Sequence, residues 1–361
     1  MPFEANLSRR SLLSALALLP AARLLRGQQP NTTFSTDVKV VNLFATVRDK
    51  HGQIVRDLTN EDFLLDEDGR PQTISYFSRE VDLPLTLGLL VDTSGSERRE
   101  IPDERRASIR FFEQVMRPDK DQAFVIHFDF EVELLEDLTN SREKLEKALN
   151  QLDTPQLQRQ QQGGGYPGGG YPGGGQGGQR QRGGGTDLYD AVYLAGDELM
   201  KKQKGRKAVI LLSDGVDTGR KETLGSAVEA AQRADTLVYS ILFEDPTGYG
   251  NNNMGGFGGP RMGRRGGMGG GRGGYPQMNR PDGKKILEQI SRETGGRFFE
   301  VSHKWPIDKV FETIEEDLRN QYSLGYTSDQ QATDRGYRRI HLAAKQKGMI
   351  VQTREGYYPV T

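Results

Sequence analysis

Between residues 83 and 320, short apolar runs rich in β-branched residues alternate with longer amphipathic stretches. The run at residues 85–91 is continuously apolar, which is typical of a parallel strand buried on both faces. Residues 306–319 instead have apolar side chains three and four positions apart, which predicts a helix with one buried face. Repeated alternation of this kind predicts an α/β fold with a doubly wound, mostly parallel sheet.

The predicted order of elements indicates where side chains can meet. Strands are expected at residues 85–91, 123–128, 208–212, 237–243 and 297–301, with an antiparallel edge at 131–135, and helices at 100–116, 141–152, 188–201, 222–234, 283–293 and 306–319. Ligands of such sheets bind at the carboxyl ends of the strands. We therefore expect the loops after residues 91, 212 and 243 to share one edge of the domain, which we call the rim.

The chain changes character on both sides of this region. Residues 31–82 and 321–361 carry short alternating patterns with turn signals, which predict strands. Neither segment supplies enough strands for a stable sheet of its own. We therefore expect the two segments to pair into one small β-sandwich, with the α/β domain of residues 83–320 inserted between them.

Glycine is concentrated in two low-complexity inserts. Of the 45 glycines in the 361 residues, 14 lie in residues 154–185 and 15 in residues 245–283. Such segments bury too little apolar surface to offset the entropy of ordering, so we expect both to be disordered. The second has five arginines and no acid between Pro246 and Pro281, a composition that can bind RNA or acidic surfaces. Rim loops that touch a ligand, and an expansion without function, are the alternatives.

The first 30 residues have the pattern of an export signal. Arg9 and Arg10 precede an uncharged stretch at residues 11–22, which suits a signal peptide and is too short to span a membrane. The paired arginines resemble a twin-arginine signal, and an ordinary secretory signal fits as well. Further arginines interrupt the expected cleavage region, so an uncleaved anchor stays open. We expect a periplasmic, cell-envelope or secreted protein.

Charge and cysteine content exclude several function classes. The formal net charge of −1 gives no overall attraction to nucleic acid or to an acidic membrane, and we expect no nucleic-acid partner. The chain has no cysteine, so it has neither a disulfide framework nor thiolate chemistry.

Oxygen donors are concentrated where the predicted strands reach the rim. They are Asp92, Ser94 and Ser96 after the first strand, Thr186 at the start of a helix, and Asp214 after the strand at 208–212. Two carboxylates and three hydroxyls suit a hard cation such as Mg²⁺, with Mn²⁺ or Ca²⁺ as alternatives. Two acids leave the ion under-neutralised, and the set also leaves a coordination position open, which an Asp or Glu carboxylate of a protein partner can fill.

In order and residue type, this set resembles the metal-ion-dependent adhesion site of von Willebrand factor A (VWA) and integrin I domains, with D-x-S-x-S at residues 92–96. The resemblance covers about residues 83–320 and implies a Rossmann-like VWA fold that binds protein ligands through the metal. The flanks also resemble exported bacterial proteins of the VWFA-related (acidobacterial) type. They carry E-D-F and E-D-G motifs in residues 61–77, and Y-x-L-G-Y and R-x-G-Y motifs in residues 322–357.

Other polar residues have simpler interpretations. We interpret Asp187, Asp190 and Asp217 as capping or solvated residues. The histidines show no metal-ligand spacing and are interpreted as structural: His51, His127, His303 and His341.

The motifs of competing enzyme classes are missing from the sequence. A phosphotransferase of the haloacid dehalogenase type needs an aspartate at position 94, where this chain has serine. Neither a G-x-S-x-G elbow nor a G-x-x-x-x-G-K-[ST] loop is present. We therefore expect no catalytic residues and no enzymatic activity.

Two functions stay open. The first is a metal-dependent binding or adhesion module of the cell envelope. The second is an envelope scaffold in which the terminal strands make the main contacts and the metal only stabilises the fold. The resemblance to integrin I domains also implies that the helix at residues 306–319 shifts on ligand binding, and a static helix is the alternative. The sequence indicates neither the identity of the partner nor the oligomeric state.

Overall fold

The structure, a computed structural model, describes residues 40–79, 83–152, 186–219, 221–243, 282–330 and 336–359. The predicted export signal and nearly all of both glycine-rich inserts lie outside these ranges. The described residues belong to one compact unit, Lys39–Thr361. Among them, no helix has the length and apolar character needed to cross a membrane.

The elements of the described residues follow in chain order. The strands are β1 (Val40–Arg48), β2 (Phe63–Glu67), β3 (Arg70–Pro71), β4 (Ile74–Ser78), β5 (Leu85–Asp92), β6 (Gln122–Phe128), β7 (Val132–Thr139), β8 (Arg206–Leu212), β9 (Leu237–Phe243), β10 (Phe298–Val301), β11 (Tyr322–Thr327), β12 (Arg338–Ala344), β13 (Ile350–Gln352) and β14 (Gly356–Tyr357). The helices are α1 (Ile101–Val115), α2 (Arg142–Leu149), α3 (Leu188–Leu194), α4 (Leu224–Arg233), α5 (Gly283–Thr294) and α6 (Ile307–Arg319).

Six strands form the central sheet, in the order β10-β9-β8-β5-β6-β7. Neighbours run parallel except β7, which is antiparallel to β6 at the edge, as predicted. Read from β7, this is the 3-2-1-4-5-6 order of doubly wound folds. The α/β class and the mostly parallel sheet are therefore confirmed. The strand order reverses between β5 and β8, so the loops after these strands meet where such sheets bind ligands.

Helices cover both faces of the central sheet. On one face α1, α2 and α6 enclose an apolar core, in which Phe111 stacks on Phe311 with ring centroids 4.6 Å apart. On the other face α3, α4 and α5 enclose a second core. Strands β5 and β8 are buried along their whole length because both of their faces are covered.

Helical turns cover the helix predicted at residues 188–201, but they change type along the segment. The α-helix ends at Leu194, a π-helical turn covers Ala195–Leu199, and a 3₁₀ turn follows. A Cβ added to Gly196 would lie 2.9 Å from the carbonyl carbon of Ala230 in α4. Close packing against α4 accompanies the irregular turn, and the apolar periodicity of this segment alone does not indicate such a turn.

Strands from the two ends of the chain pair with each other in two further antiparallel sheets, ordered β13-β1-β11-β4 and β14-β12-β2-β3. Strand β1 pairs with β11, and β2 pairs with β12. One apolar cluster joins the two sheets, with Leu43 and Leu324 from the first and Leu65 and Leu342 from the second. Both terminal segments therefore contribute to each sheet.

Glu67 is buried between the terminal strands with a full set of partners. Its Oε2 accepts the hydroxyls of Tyr326 at 2.5 Å and Tyr357 at 3.1 Å. Its Oε1 accepts the hydroxyl of Ser328 at 2.5 Å and a guanidinium N–H of Arg338 at 3.1 Å. Glu67, Tyr326 and Tyr357 belong to the E-D-G, Y-x-L-G-Y and R-x-G-Y motifs, so these distant motifs meet in one buried polar cluster.

The edge of the central sheet opposite the rim, which we call the base, contacts the terminal strands through arginines. Asp317 near the end of α6 accepts from Arg48 of β1 at 2.7 Å and from Arg297, just before β10, at 3.1 Å. Arg354 follows β13 and donates to Asp235, just before β9, at 2.8 Å. These ion pairs connect the central sheet to both terminal segments.

Candidate metal site at the rim

Asp92 ends β5 and is fully buried. Its Oδ1 accepts the backbone N–H of Ser94 at 2.9 Å, and its Oδ2 accepts the hydroxyl of Ser213 at 2.8 Å. Burial, together with the nearby charge of Asp214, raises the pKa of Asp92 to about 6, although hydrogen bonds from Ser94 and Ser213 oppose the shift. The ionised form of Asp92 is therefore less favourable in the fold than that of an exposed aspartate.

The D-x-S-x-S segment forms a tight turn directly after β5. The hydroxyl oxygens of Ser94 and Ser96 lie 3.0 Å apart. The N–H of Glu97 closes the turn by donating to the carbonyl of Ser94 at 3.1 Å. Ser94 is half-buried and Ser96 is exposed. Two of the predicted hydroxyl ligands therefore lie side by side next to the buried carboxylate.

Asp214 lies in the loop after β8, where its Oδ1 accepts the backbone N–H of Val216 at 2.9 Å. Gly215 has a left-handed backbone with φ of +78°, and a Cβ there would lie 2.2 Å from the carbonyl oxygen of Gly283. Only glycine fits this conformation and this close approach. The first turn of α5 therefore packs directly against the loop of Asp214.

Thr186 lies just before α3 and is 7% exposed. Its N–H donates to the hydroxyl of Thr218 at 2.7 Å, and its carbonyl accepts the N–H of Thr218 at 2.9 Å. These bonds join Thr186 to the loop that begins with Asp214. Among the described residues Thr186 makes no hydrogen bond with Asp92 or Asp214. Ser94 therefore contacts both Asp92 and Ser96, and the charge of Asp214 acts on Asp92. Thr186 is bonded to Thr218, in the loop that also contains Asp214.

Three further aspartates near the start of α3 have different roles. Asp217 accepts the N–H of Tyr189 at 3.1 Å and so caps α3 from another loop, while Asp190 accepts the N–H of Glu222 at 3.0 Å. Asp187 occupies the N-cap position of α3 without a side-chain capping bond. Burial and then the charge of Asp190 raise the pKa of Asp187. The rim is therefore acidic beyond the predicted ligand set.

Ser213 is a site residue that the sequence reasoning missed. It is fully buried, its hydroxyl donates to Asp92, and the same oxygen accepts the N–H of Gly215 at 3.0 Å. One hydroxyl therefore ties the loop after β5 to the loop after β8. The sequence shows only a serine at the end of an apolar run, which is an ordinary turn residue.

Glu104 of α1 was also missed. It is fully buried, and among the described residues neither of its carboxylate oxygens has a hydrogen-bond partner. Burial, and then the charges of Glu97 and Asp92, raise the pKa of Glu104 well above its usual range. The available signal was an acid at helical spacing from the buried Ile101 and Phe111.

The chemistry of the predicted ligands fits a small hard cation. All are oxygen donors, and each carboxylate oxygen of Asp92 keeps acceptor capacity beyond its hydrogen bond. Within the described ranges, no group of three or more His, Cys, Asp or Glu side chains could hold a metal ion. The predicted set has only two carboxylates, and a Mg²⁺ ion bound there would depend on hydroxyls and water for its other ligands. The metal site stays a prediction.

Comparisons with known proteins give likenesses of fold only. No family model and no curated protein matches the chain. A similar solved structure is an aerotolerance-related membrane protein from Bacteroides fragilis, at 13% identity and TM-score 0.41 over 65% of this chain and 98% of that one. Another is the vWF domain of the type V pili tip protein Mfa5 from Porphyromonas gingivalis, at 11% identity and TM-score 0.40 over 65% and 94%.

Proximal thread matrix protein 1 from the mussel byssus, solved with a zinc-occupied MIDAS motif, matches at 13% identity and TM-score 0.41 over 71% of this chain. The match covers 50% of that protein, so the chain spans about half its length. At these identities and TM-scores, the similarity gives no information about function. The fold class rests on the strand order, and the candidate site rests on its geometry.

Proposed function

We propose that this protein is an exported, metal-dependent protein-binding module of the VWA type. Its ligands for Mg²⁺, or for Mn²⁺ or Ca²⁺, are Asp92, Ser94, Ser96, Thr186 and Asp214. The observation that carries the proposal is the buried Asp92 close to Asp214, with no Lys or Arg of the described residues in an ion pair with either. Bound there, the cation would supply a positive charge and an open coordination position for a carboxylate of the partner.

The charges of the rim support strict dependence on the metal. Asp187, Asp190 and Asp217 surround the start of α3, and after burial their mutual repulsion contributes to the raised pKa values of Asp187 and Asp217. Lys221, whose Nζ lies 3.6 Å from a carboxylate oxygen of Asp190, offsets part of this negative charge. An acidic partner that approaches this surface without a metal meets like charge, which disfavours association. Ser94 and Ser96 lie on the accessible side of Asp92, so the partner approaches over the serines.

Burial of the perturbed carboxylates favours binding over catalysis. A raised pKa such as that of Asp92 often marks a functional site. However, Asp92 and Glu104 are both fully buried, and a general base must reach the proton that it removes. The proposed module is therefore not an enzyme.

The proposal extends to the architecture and location of the protein. The two terminal sheets share one apolar cluster, which supports a small β-sandwich into which the VWA domain is inserted. The proposed organisation is an export signal at residues 1–30, β segments at 31–82 and 321–361, and the VWA domain at 83–320. The pattern of the signal supports a periplasmic, envelope or secreted location.

A pull-down of the immobilised full chain from envelope extract tests the proposed function. The partner should bind in Mg²⁺ buffer, and it should be released by EDTA. Asp214→Ala should lose the partner, while Asp308→Ala, at an exposed position on α6, is the matched control and should retain it. A partner that stays bound in EDTA would contradict metal-dependent binding.

The alternative function, an envelope scaffold with a structural metal, also has a supporting observation. Val40 and Tyr76 are 49% and 46% exposed on the outer face of the sheet that contains β1. They flank Gly325, where a Cβ would lie within 3.2 Å of both side chains, so the patch is continuous. Exposed apolar patches mark interaction surfaces. Retention of the partner in EDTA, with loss in Tyr76→Ser, would favour this function.

A further inference from the structure

Thr93 lies between two predicted metal ligands, Asp92 and Ser94, yet its own side chain is fully buried. Its N–H donates to the carbonyl of Phe128 at 2.9 Å. Its hydroxyl oxygen lies 3.1 Å from Nδ1 of His127 and 3.4 Å from the carbonyl of Phe128. Both the backbone and the side chain of Thr93 are therefore fastened to the end of β6.

His127 is held on its other side by β7. Its Nε2 lies 3.1 Å from a carboxylate oxygen of Glu133, and the two residues are paired across β6 and β7. On the opposite side, His127 is the register partner of Val91 in β5. The ring therefore lies between the edge strand and the first loop of the rim, with one nitrogen directed at each.

The proton positions follow from these partners. The ionised carboxylate of Glu133 can only accept, so Nε2 of His127 carries a hydrogen. In the neutral ring Nδ1 then accepts the hydroxyl hydrogen of Thr93. In the charged ring Nδ1 donates to the hydroxyl oxygen, and the hydroxyl can donate to the carbonyl of Phe128. Thr93 stays attached to β6 in both arrangements.

We propose that His127 is a positioning residue for the predicted metal site. By holding Thr93 against β6, it sets the backbone directions of Asp92 and Ser94, which depart from either side of Thr93. Residues that orient metal ligands commonly change metal affinity by about 10–100-fold when they are replaced. The expected effect on metal affinity rests on the proposed function, whereas the restraint of Thr93 by His127 does not depend on metal.

The hydrogen-bonded series from Thr93 through His127 to Glu133 has the order of a nucleophile, a base and an orienting acid. Catalysis is not the proposed role, because the hydroxyl of Thr93 is fully buried and cannot contact a substrate. The role that fits these contacts is to restrain the loop after β5.

Two substitutions of His127 separate the two contacts of its ring. The amide of asparagine lies near the position of Nδ1, so His127→Asn can keep the bond to Thr93. The amide of glutamine reaches the position of Nε2, so His127→Gln can keep the bond to Glu133 and loses Thr93. Thr93→Val removes the hydroxyl at constant shape. His341→Gln is the matched control, because that ring is 74% exposed in β12.

The first measurement uses the metal-free full chain. Hydrogen exchange at the backbone amides of Thr93 and Ser94 should become faster in His127→Gln and in Thr93→Val. It should be unchanged in His127→Asn and His341→Gln. Equal exchange rates in all four variants would overturn the inference, whether or not the protein binds metal.

The second measurement is Mg²⁺ affinity by calorimetry. His127→Gln and Thr93→Val should each weaken binding by about 10-fold, and the double variant should be no weaker than either, because both remove the same contact. Wild-type affinity in both single variants would overturn the inference that His127 positions the metal ligands. A wild-type protein that binds no Mg²⁺ would instead contradict the proposed function, and the exchange measurement would still decide the role of His127.

Discussion

Both ends of β5 are anchored by buried aspartates, and the electrostatic surroundings of these two residues are opposite. At the base, Asp121 accepts the N–H of Leu85 at 2.9 Å and the backbone and guanidinium N–H groups of Arg117. Burial favours a higher pKa, but the bonds and charge of Arg117 hold the pKa of Asp121 below its usual value. At the rim, Asp92 has no cationic partner among the described residues, and its pKa rises to about 6.

The comparison separates buried acids that have a cationic partner inside the fold from buried acids that have none among the described residues. At the base, Asp317 and Asp235 are also paired with arginines. At the rim, burial raises the pKa values of Asp187 and Asp217 as well as that of Asp92. A buried acid with an internal partner is satisfied in the folded chain. Where a buried acid has no such partner, binding of an external cation to it would stabilise the folded chain.

The largest expected effect is on metal binding at the rim. Asp92→Asn and Asp214→Asn each remove one of the two predicted carboxylate ligands, so Mg²⁺ binding should fall below detection by calorimetry. The far-ultraviolet circular dichroism spectrum should be unchanged, because neither carboxylate is paired with a cation inside the described fold. Asp308→Asn is the matched control and should bind Mg²⁺ like the wild type. Unchanged affinity in both rim variants would contradict the predicted site.

The corresponding substitution at the base should act on stability instead. Asp121→Asn removes the buried charge that pairs with Arg117, whose side chain is 26% exposed. The expected loss is about 3 kcal/mol, the lower end of the range for breaking a fully buried pair. Urea denaturation should show this loss, and the Mg²⁺ affinity of the folded fraction should be unchanged. If Asp121→Asn were as stable as the wild type, the proposed contrast between rim and base would fail.

The pH dependence of stability should differ between Asp92 and its asparagine variant. Between pH 4 and 6 the folded state holds a proton on Asp92 that the unfolded state has released. The contribution of Asp92 to stability therefore falls as pH rises through this window, by roughly 3 kcal/mol for a shift from 3.8 to about 6.

In EDTA, Asp92→Asn should become progressively more stable than the wild type from pH 4 to pH 6. The difference in urea midpoints measures this effect together with the change at Glu104, whose pKa is raised in part by the charge of Asp92. Saturating Mg²⁺ should reverse the sign above pH 6, because only the wild type binds the ion. A difference that stays constant across the window would show that Asp92 ionises as easily in the fold as in the unfolded chain.

The smallest expected effect concerns Glu104. Replacing an unpaired buried acid by an apolar side chain of similar shape often stabilises a protein, and Glu104→Met should do so by about 1–2 kcal/mol at pH 7. The gain should increase with pH, because the raised pKa of Glu104 makes the acid less favourable in the fold at higher pH. A loss of stability would indicate that Glu104 is satisfied in solution, as the acids of the base are.

Local patterns were enough to predict the order of strands and helices. A buried parallel strand and an amphipathic helix each leave a periodic signature within the segment itself, as in β9, whose bounds match the predicted residues 237–243. The helix predicted at 188–201 is present, but its second half is π-helical and 3₁₀ rather than α-helical, and the π-helical turn lies where Gly196 packs closely on α4. That contact leaves no periodic trace in the sequence.

The site was predictable as a set of residue types but not as a network. The turn of the D-x-S-x-S segment is predictable because its hydrogen bonds join residues only two positions apart. Ser213 bonds to Asp92 across 121 residues of sequence, and His127 reaches Thr93 across 34. Contacts of this kind depend on which strands are neighbours in the sheet, so they could not be predicted without the strand order.

The pairing of strands from opposite ends of the chain has a consequence for how the protein is made. Glu67 of β2 and its partner Arg338 of β12 are 271 residues apart. At a translation rate of about 5–20 residues per second, β2 leaves the ribosome roughly 15–55 seconds before β12. During that interval β1 and β2 have open edges, which favour aggregation. The terminal sheets are therefore completed last, and a nascent chain that stalls before β11 carries a β1 strand without its sheet partners.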